Sequence, residues 1–217
     1  MKPIFLLLIS LCLAACASMG PKPSQEAMLP REQLEQHWEQ HEATLSHLSD
    51  WTLKGKAAVS SGTKGGTANV IWIQHQEGYD IELYGLLGHG RTHLIAKGQE
   101  VRLVTQEGPE WLAADAQSLL GEYTGWYLPV DNLYYWVRGI PAPTTITSLK
   151  LNNQGQLAEL QQAGWTVIYS EYAVFQGLWL PTRITLKYPG DAFQPPLTVK
   201  WLSKEWVISV IPGEKLP

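Results

Sequence analysis

Apolar and polar residues alternate along most of the chain from Trp51 onward, and this alternation limits the fold more than any other feature. A strand with one buried face places an apolar side chain at every second position. Near the C-terminus, for example, Ile184 and Leu186 alternate with Arg183 and Lys187. The pattern predicts strands at 51–60, 67–72, 79–84, Thr92–Ala96, Glu100–Thr105, Ser148–Asn152, Gln156–Gln162, Trp165–Tyr172, Leu180–Tyr188 and Leu197–Ile208. The sequence therefore predicts one strongly curved antiparallel sheet of about ten or eleven strands with one wet face.

Three segments have helical rather than strand periodicity. The first carries Leu34, Trp38, Leu45 and Leu48 at helical spacing and is expected to end at Asp50. In the middle of the chain, Asp115 is a candidate N-cap for a helix over 116–123. A third helix is predicted from Asp131 to Gly139, before Pro141. The apolar faces of these helices need cover, which the concave side of the sheet can supply.

The first residues resemble the signal of a bacterial lipoprotein. Met1 and Lys2 precede an apolar run from Ile4 to Leu13, which is too short to span a bilayer, and the run leads into Leu13-Ala14-Ala15-Cys16. This resemblance implies that residues 1–15 are removed and that Cys16 is lipidated. We expect residues 16–30 to form a flexible tether and 31–217 to form a single domain. The chain is expected at the outer membrane, lipid-anchored, with its domain in the periplasm.

Composition narrows the classes of function. Cys12 and Cys16 are the only cysteines, so no disulfide is expected in the mature chain. Without Lys2, 15 basic side chains remain against 20 acidic ones, an excess that argues against nucleic acid as a partner. Ten Trp and nine Tyr stand against three Phe. Such amphipathic aromatics suit a wet cavity or a membrane interface, and an ordinary core also accounts for many of them.

Several motifs, in order along the mature chain, resemble the LolB family of outer-membrane lipoprotein receptors. They are the lipobox, Trp38-Glu39-Gln40-His41 leading into Lys54-Gly55, the segment Leu83-Tyr84-Gly85-Leu86-Leu87-Gly88, the pattern Leu128-Pro129-x-x-Asn132-Leu133-x-x-Trp136-x-x-Gly139-x-Pro141, and Trp165-x-Val167-x-Tyr169. The resemblance implies an incomplete, half-open antiparallel β-barrel with an α-helical lid over an apolar cavity, and no catalysis or cofactor. It also implies a periplasmic carrier similar to LolA, lipidated cargo proteins and outer-membrane lipid as partners of a monomeric receptor.

The same resemblance assigns candidate site residues. Leu86 and Leu87 lie in a glycine-rich turn, where apolar side chains are unusual. They would form a membrane-insertion loop, with Leu87 matching the membrane-directed leucine of the family. An acyl-binding cavity needs concave apolar surface without unpaired charge. The candidates for its lining are Trp51, Leu53, Val70, Trp72, Ile81, Leu83, Trp136, Trp165, Val167, Ile184, Leu186 and Trp201.

Two other functions remain open on sequence alone. An envelope lipoprotein could bind glycan or peptide through an aromatic groove. A periplasmic hydrolase could place two carboxylates across a groove, with candidates Asp80, Glu82, Glu107, Glu110 and Asp115. His37 and His41 have a spacing that can share a metal. We expect a solvated helix face there and no metal site, because no further ligand is in view.

Overall fold

The computed structural model describes residues 30–85, 90–106 and 108–209. Its elements, in chain order, are α1 (Arg31–Ser46), β1 (Trp51–Ser61), β2 (Lys64–His75), β3 (Gly78–Tyr84), β4 (Arg91–Lys97), β5 (Glu100–Thr105), β6 (Trp111–Ala113), α2 (Ala116–Thr124), α3 (Val130–Trp136), β7 (Ile146–Leu151), β8 (Leu157–Gln162), β9 (Trp165–Phe175), β10 (Leu178–Tyr188) and β11 (Leu197–Ile208). Within these residues no helix is long and apolar enough to cross a membrane.

All strands join one antiparallel sheet of eleven strands, in the order β6-β5-β4-β3-β2-β1-β11-β10-β9-β8-β7. The first and last strands pair at its centre, where Trp51 lies opposite Ile208. The edge strands β6 and β7 flank the chain segment that carries α2 and α3. The predicted unclosed barrel is therefore confirmed, with α2 and α3 inserted in the chain between the two halves of the sheet.

The alternation of apolar and polar residues correctly predicts which side chains face the buried, concave side of the sheet and which face solvent. On β10, Ile184 and Leu186 are buried while Arg183 and Lys187 are exposed. On β11, Val199 and Trp201 are buried on the same concave side. The buried residues of both half-sheets and of the helices form one continuous hydrophobic core.

Two glycines in the recognised motifs occupy positions that a larger residue would disturb. Gly55 follows a register shift between β1 and β11, and a Cβ there would lie 2.3 Å from the carbonyl oxygen of Leu202. A β-bulge of this kind bends a strand and increases its twist. Gly139 follows α3 with φ +83°, and its Cβ would lie 2.9 Å from Pro181. Gly55 therefore allows the backbone of β11 to approach closely, and Gly139 allows the Pro181 ring to approach closely.

The helices differ from prediction mainly at their ends. Asp115 caps α2 as expected, because its side chain accepts a hydrogen bond of 2.7 Å from the Ser118 N–H. The third helix ends at Trp136, before the predicted Gly139, and α1 ends at Ser46, before the predicted Asp50. The short edge strand β6 was not predicted, since three residues are too few to show an alternation.

Candidate functional site

An apolar cavity lies between the first half-sheet and the segment that carries α2 and α3. Strands β1–β4 and β11 supply its floor, and residues 120–133 supply its roof. Its lining is Ala57, Val59, Val70, Trp72, Ile81, Leu83, Leu94, Leu120, Thr124, Trp126, Leu128, Val130, Leu133, Val199 and Trp201. The lining contains no charged side chain, which is the property that acyl chains require.

Three polar side-chain groups of the lining already have partners. The Thr124 hydroxyl donates to the Leu120 carbonyl at 2.6 Å and accepts from the Trp126 N–H at 3.1 Å. The indole of Trp72 donates to Gln74 at 3.0 Å, and that of Trp201 donates to Ser203 at 3.2 Å. Because these groups are satisfied, the cavity presents hydrocarbon and aromatic surface to an occupant.

The structure brings five of the predicted lining residues to this cavity and leaves seven in the packed core. The five are Val70, Trp72, Ile81, Leu83 and Trp201. The seven are Trp51, Leu53, Trp136, Trp165, Val167, Ile184 and Leu186, all buried. Trp51 and Leu53 lie at the far end of β1, and Trp136 fills the second half of the concave side, with its ring centroid 6.4 Å from that of Trp165.

Sequence reasoning missed the lining residues that come from the helical segment. Leu120 belongs to α2, Val130 and Leu133 lie one turn apart on α3, and Trp126 and Leu128 connect the two helices. The spacing of Val130 and Leu133 marks an apolar helix face. That signal could have identified them, because a lid over a cavity must present its own apolar face to it.

Buried Gln162 fastens the end of this helical segment to β8. Its side-chain oxygen accepts from the Trp136 indole at 2.9 Å and from the Ala142 N–H at 3.0 Å. Its amide nitrogen donates to the carbonyls of Ala142 and Thr144 at 2.8 and 2.9 Å. The segment is thus anchored where it returns to the sheet, next to the half that does not border the apolar cavity.

A second attachment joins α3 to α1 through Arg138, which is fully buried. Its guanidinium donates to the carbonyls of Leu45 and Leu48 at 2.8 and 2.9 Å, at the C-terminal end of α1. The group also lies 3.9 Å from the ring centroid of Tyr134. Burial lowers the pKa of Arg138, whereas carbonyl oxygens and aromatic faces favour its charge. Arg138 therefore acts as a C-cap supplied by a distant part of the chain.

His41 is not on a solvated face, which corrects the expectation from sequence. It is partly buried beside Trp38, with ring centroids 6.3 Å apart, whereas His37 is exposed. This burial lowers the pKa of His41 to about 4. No group of three or more potential metal ligands occurs within the described parts of the chain.

The carboxylates considered for a hydrolase serve other purposes here. Glu82 pairs with Arg91, Asp80 lies 3.1 Å from His93, and Glu110 lies 3.2 Å from Arg102. Asp115 caps α2, and Glu107 lies outside the described residues. These contacts are ordinary cross-strand and capping interactions, so they give a hydrolase no support.

A polar groove of about 420 Å³ lies on the other side of the first turn of α3. Val130 lines both the groove and the apolar cavity, and Tyr79, Tyr134 and Asp131 also line the groove. The glycan or peptide hypothesis requires an aromatic groove of this kind. The lipid hypothesis requires the closed apolar cavity.

Comparison with known proteins separates these hypotheses. Residues 49–206 match the family described as outer membrane lipoprotein LolB. The chain is 36% identical to the outer-membrane lipoprotein LolB of Pseudomonas fluorescens, covering 89% of this chain and 92% of the relative. It is 39% identical to that of Pseudomonas putida strain KT2440, covering 87% and 89%.

Comparison with solved structures finds a similar fold. A LolA-superfamily protein from Nitrosomonas europaea superposes with a TM-score of 0.51 at 9% identity, over 82% of this chain and 94% of that one. At this identity the likeness concerns the fold alone. Matches to the family over residues 49–206 and to its members over most of the chain show that this protein belongs to the LolB family of outer-membrane lipoproteins.

Proposed function

We propose that this protein accepts lipoproteins from a soluble periplasmic carrier and inserts them into the inner leaflet of the outer membrane. The lid comprises residues 116–136, from the start of α2 to the end of α3. The observation that carries the proposal is the uncharged cavity between the first half-sheet and this lid. Transfer moves acyl chains between apolar surroundings and requires no bond to form or break. Each step is biased tenfold by an affinity difference of about 1.4 kcal/mol.

The size of the cavity implies that the lid moves when cargo binds. Its open volume is about 70 Å³, which holds only a few water molecules. Pockets for small molecules usually measure about 300–1,000 Å³. An acyl chain therefore requires separation of the lid from β1–β4. The attachments formed by Gln162 and Arg138 hold the C-terminal end of the lid, so we expect separation to begin at its N-terminal part around α2, which packs on β5 and β6.

Two proposed sites lie outside the described residues. Cys16 would carry the acyl chains that hold the protein on the membrane, where more than one chain gives stable anchoring. Leu86 and Leu87 occupy the connection between β3 and β4, which begins two residues after cavity-lining Leu83. We infer that acyl chains leaving the cavity meet lipid at this connection.

The test separates acceptance from delivery. Leu87→Glu is expected to accept lipoprotein from the carrier at near-normal yield and to fail to deliver it to liposomes, because a charge would have to enter the membrane interface. Leu86→Glu is the matched variant and should do less if only one leucine enters lipid.

Thermal melting of both variants checks the fold. Normal delivery by a well-folded Leu87→Glu would refute insertion through this loop. Failure of the unaltered protein to take lipoprotein from the carrier would refute the function itself, and binding of glycan or peptide in the Tyr79 groove would then support the alternative.

A further inference from the structure

Phe193 is the most exposed large apolar side chain among the described residues. Phe193 is 95% exposed, whereas Leu112, the next among the large apolar residues, is 62% exposed. It lies in the connection 189–196 between β10 and β11. A phenylalanine that remains in water forgoes the free energy of burial, so such exposure suggests a partner that covers it.

The turn that holds Phe193 is stiffened by its own hydrogen bonds. One side-chain oxygen of Asp191 accepts from the N–H groups of Phe193 and Gln194 at 2.7 and 2.8 Å. The Tyr188 hydroxyl donates to the other oxygen, and the Asp191 N–H donates to the Gln194 carbonyl at 2.8 Å. Three prolines, at 189, 195 and 196, restrict the flanking backbone. The turn therefore presents the ring at a fixed position.

This turn emerges at the same end of the sheet as the connection between β3 and β4. Tyr188 pairs with Leu197, and Thr198 pairs with Ser60, next to the β1–β2 turn. On the other side of that turn, β3 ends where Tyr84 pairs with Asn69. The cavity extends toward this end too, since Val199, two residues after Leu197, belongs to its lining.

The surroundings of Phe193 suit a phospholipid surface. Lys64 and Lys187 are exposed at this end of the sheet, where they can meet anionic headgroups. A protein partner would need about 1,000 Å² of matching surface, whereas lipid accommodates a single aromatic tip. The carboxylate of Asp191 is occupied by the turn itself.

We propose that the Phe193 turn is a second membrane contact, which inserts its ring into the phospholipid surface beside the β3–β4 connection. The proposal rests on the proposed function, because it orients the cavity toward the membrane that receives the cargo. Two apolar contacts at one end fix the angle of the domain on the bilayer, which a single contact leaves free.

The test uses the full lipidated chain, in which an introduced cysteine would carry the only free thiol once Cys16 is acylated. Phe193→Cys is labelled with an environment-sensitive fluorophore and reconstituted in vesicles of phosphatidylethanolamine with phosphatidylglycerol. We expect a shift of emission to shorter wavelength, quenching by lipids brominated on their acyl chains, and severalfold less quenching by aqueous iodide than for the control. The control is Trp179→Cys, which is half-exposed near the opposite end of β10.

Equal iodide quenching at positions 193 and 179 in a protein that still delivers cargo would overturn the second contact and leave the proposed function intact. Ala192→Cys, in the same turn, checks that a label at position 193 does not pull the turn into lipid. Loss of the lipid signal at position 192, where the label leaves Phe193 in place, would refute insertion of the turn by its own ring. Phe193→Ser is expected to slow delivery to vesicles severalfold without changing acceptance, and an unchanged delivery rate would count against the proposal.

Discussion

Replacing Gln162 by leucine tests whether the lid depends on the buried amide that attaches it to β8. The change keeps the size of the side chain and removes its four hydrogen bonds, to Trp136, Thr144 and both backbone groups of Ala142. Each bond contributes about 1 kcal/mol net. Since Thr144 is exposed and can bond water instead, the expected loss is about 3 kcal/mol.

Equilibrium unfolding in urea measures this loss directly. For a domain of this size a loss of 1 kcal/mol lowers the melting temperature by about 2–4 °C, so Gln162→Leu should melt about 6–12 °C lower. Gln161→Leu makes the same chemical change one residue earlier, on the other face of β8, and should alter stability by less than about 0.5 kcal/mol. Equal effects of the two variants would refute the assignment of Gln162 as the attachment of the lid.

Three further outcomes follow from the structure. Arg138→Met should reduce the free energy of unfolding by about 2–3 kcal/mol in urea titrations, because it removes a charged donor from the buried carbonyls of Leu45 and Leu48; a neutral effect would mean that the remaining donors to these carbonyls suffice. His41 has a folded-state pKa of about 4, below its usual 6.5, so its contribution is complete above pH 6.5 and is lost as the pH falls toward 4. Between pH 6.5 and 4, His41→Gln should therefore lose about 2 kcal/mol less stability than the unaltered protein, a figure reduced for the partial exposure of His41. Parallel pH–stability curves for the two proteins would contradict this. A photoreactive residue at cavity-lining Leu83 should crosslink to lipidated cargo, whereas one at Ile168, on the outer face of β9, should not; equal yields would argue against the cavity as the acyl site.

Local chemistry determined much of the fold directly from sequence. The period-two alternation depends on neighbouring residues alone, so it set the faces of β10 and β11 correctly. The cap at Asp115 is likewise local, because its acceptor lies three residues from the donor. The family motifs added the unclosed barrel and the lid, which periodicity by itself does not specify.

Other features depend on contacts between residues far apart in the chain. In the sequence Gln162 is one more polar residue at the end of a predicted strand, yet in the structure it is the buried hydrogen-bond partner of Trp136. In the sequence Arg138 is a basic residue near the end of a predicted helix. In the structure it caps α1, which lies about 90 residues earlier in the chain. His41 follows the polar pattern of α1, yet it is partly buried because α1 packs on the hydrophobic core.

The sequence by itself determined that Trp51, Trp72 and Trp136 would all face the concave side of a curved sheet. The tertiary structure alone decided that Trp72 borders empty space while the other two are packed on every side. Whether a concave apolar residue lines a cavity depends on the volume that the lid brings to its particular half of the sheet. That volume is a property of packing across the whole fold, and no local pattern of residues encodes it.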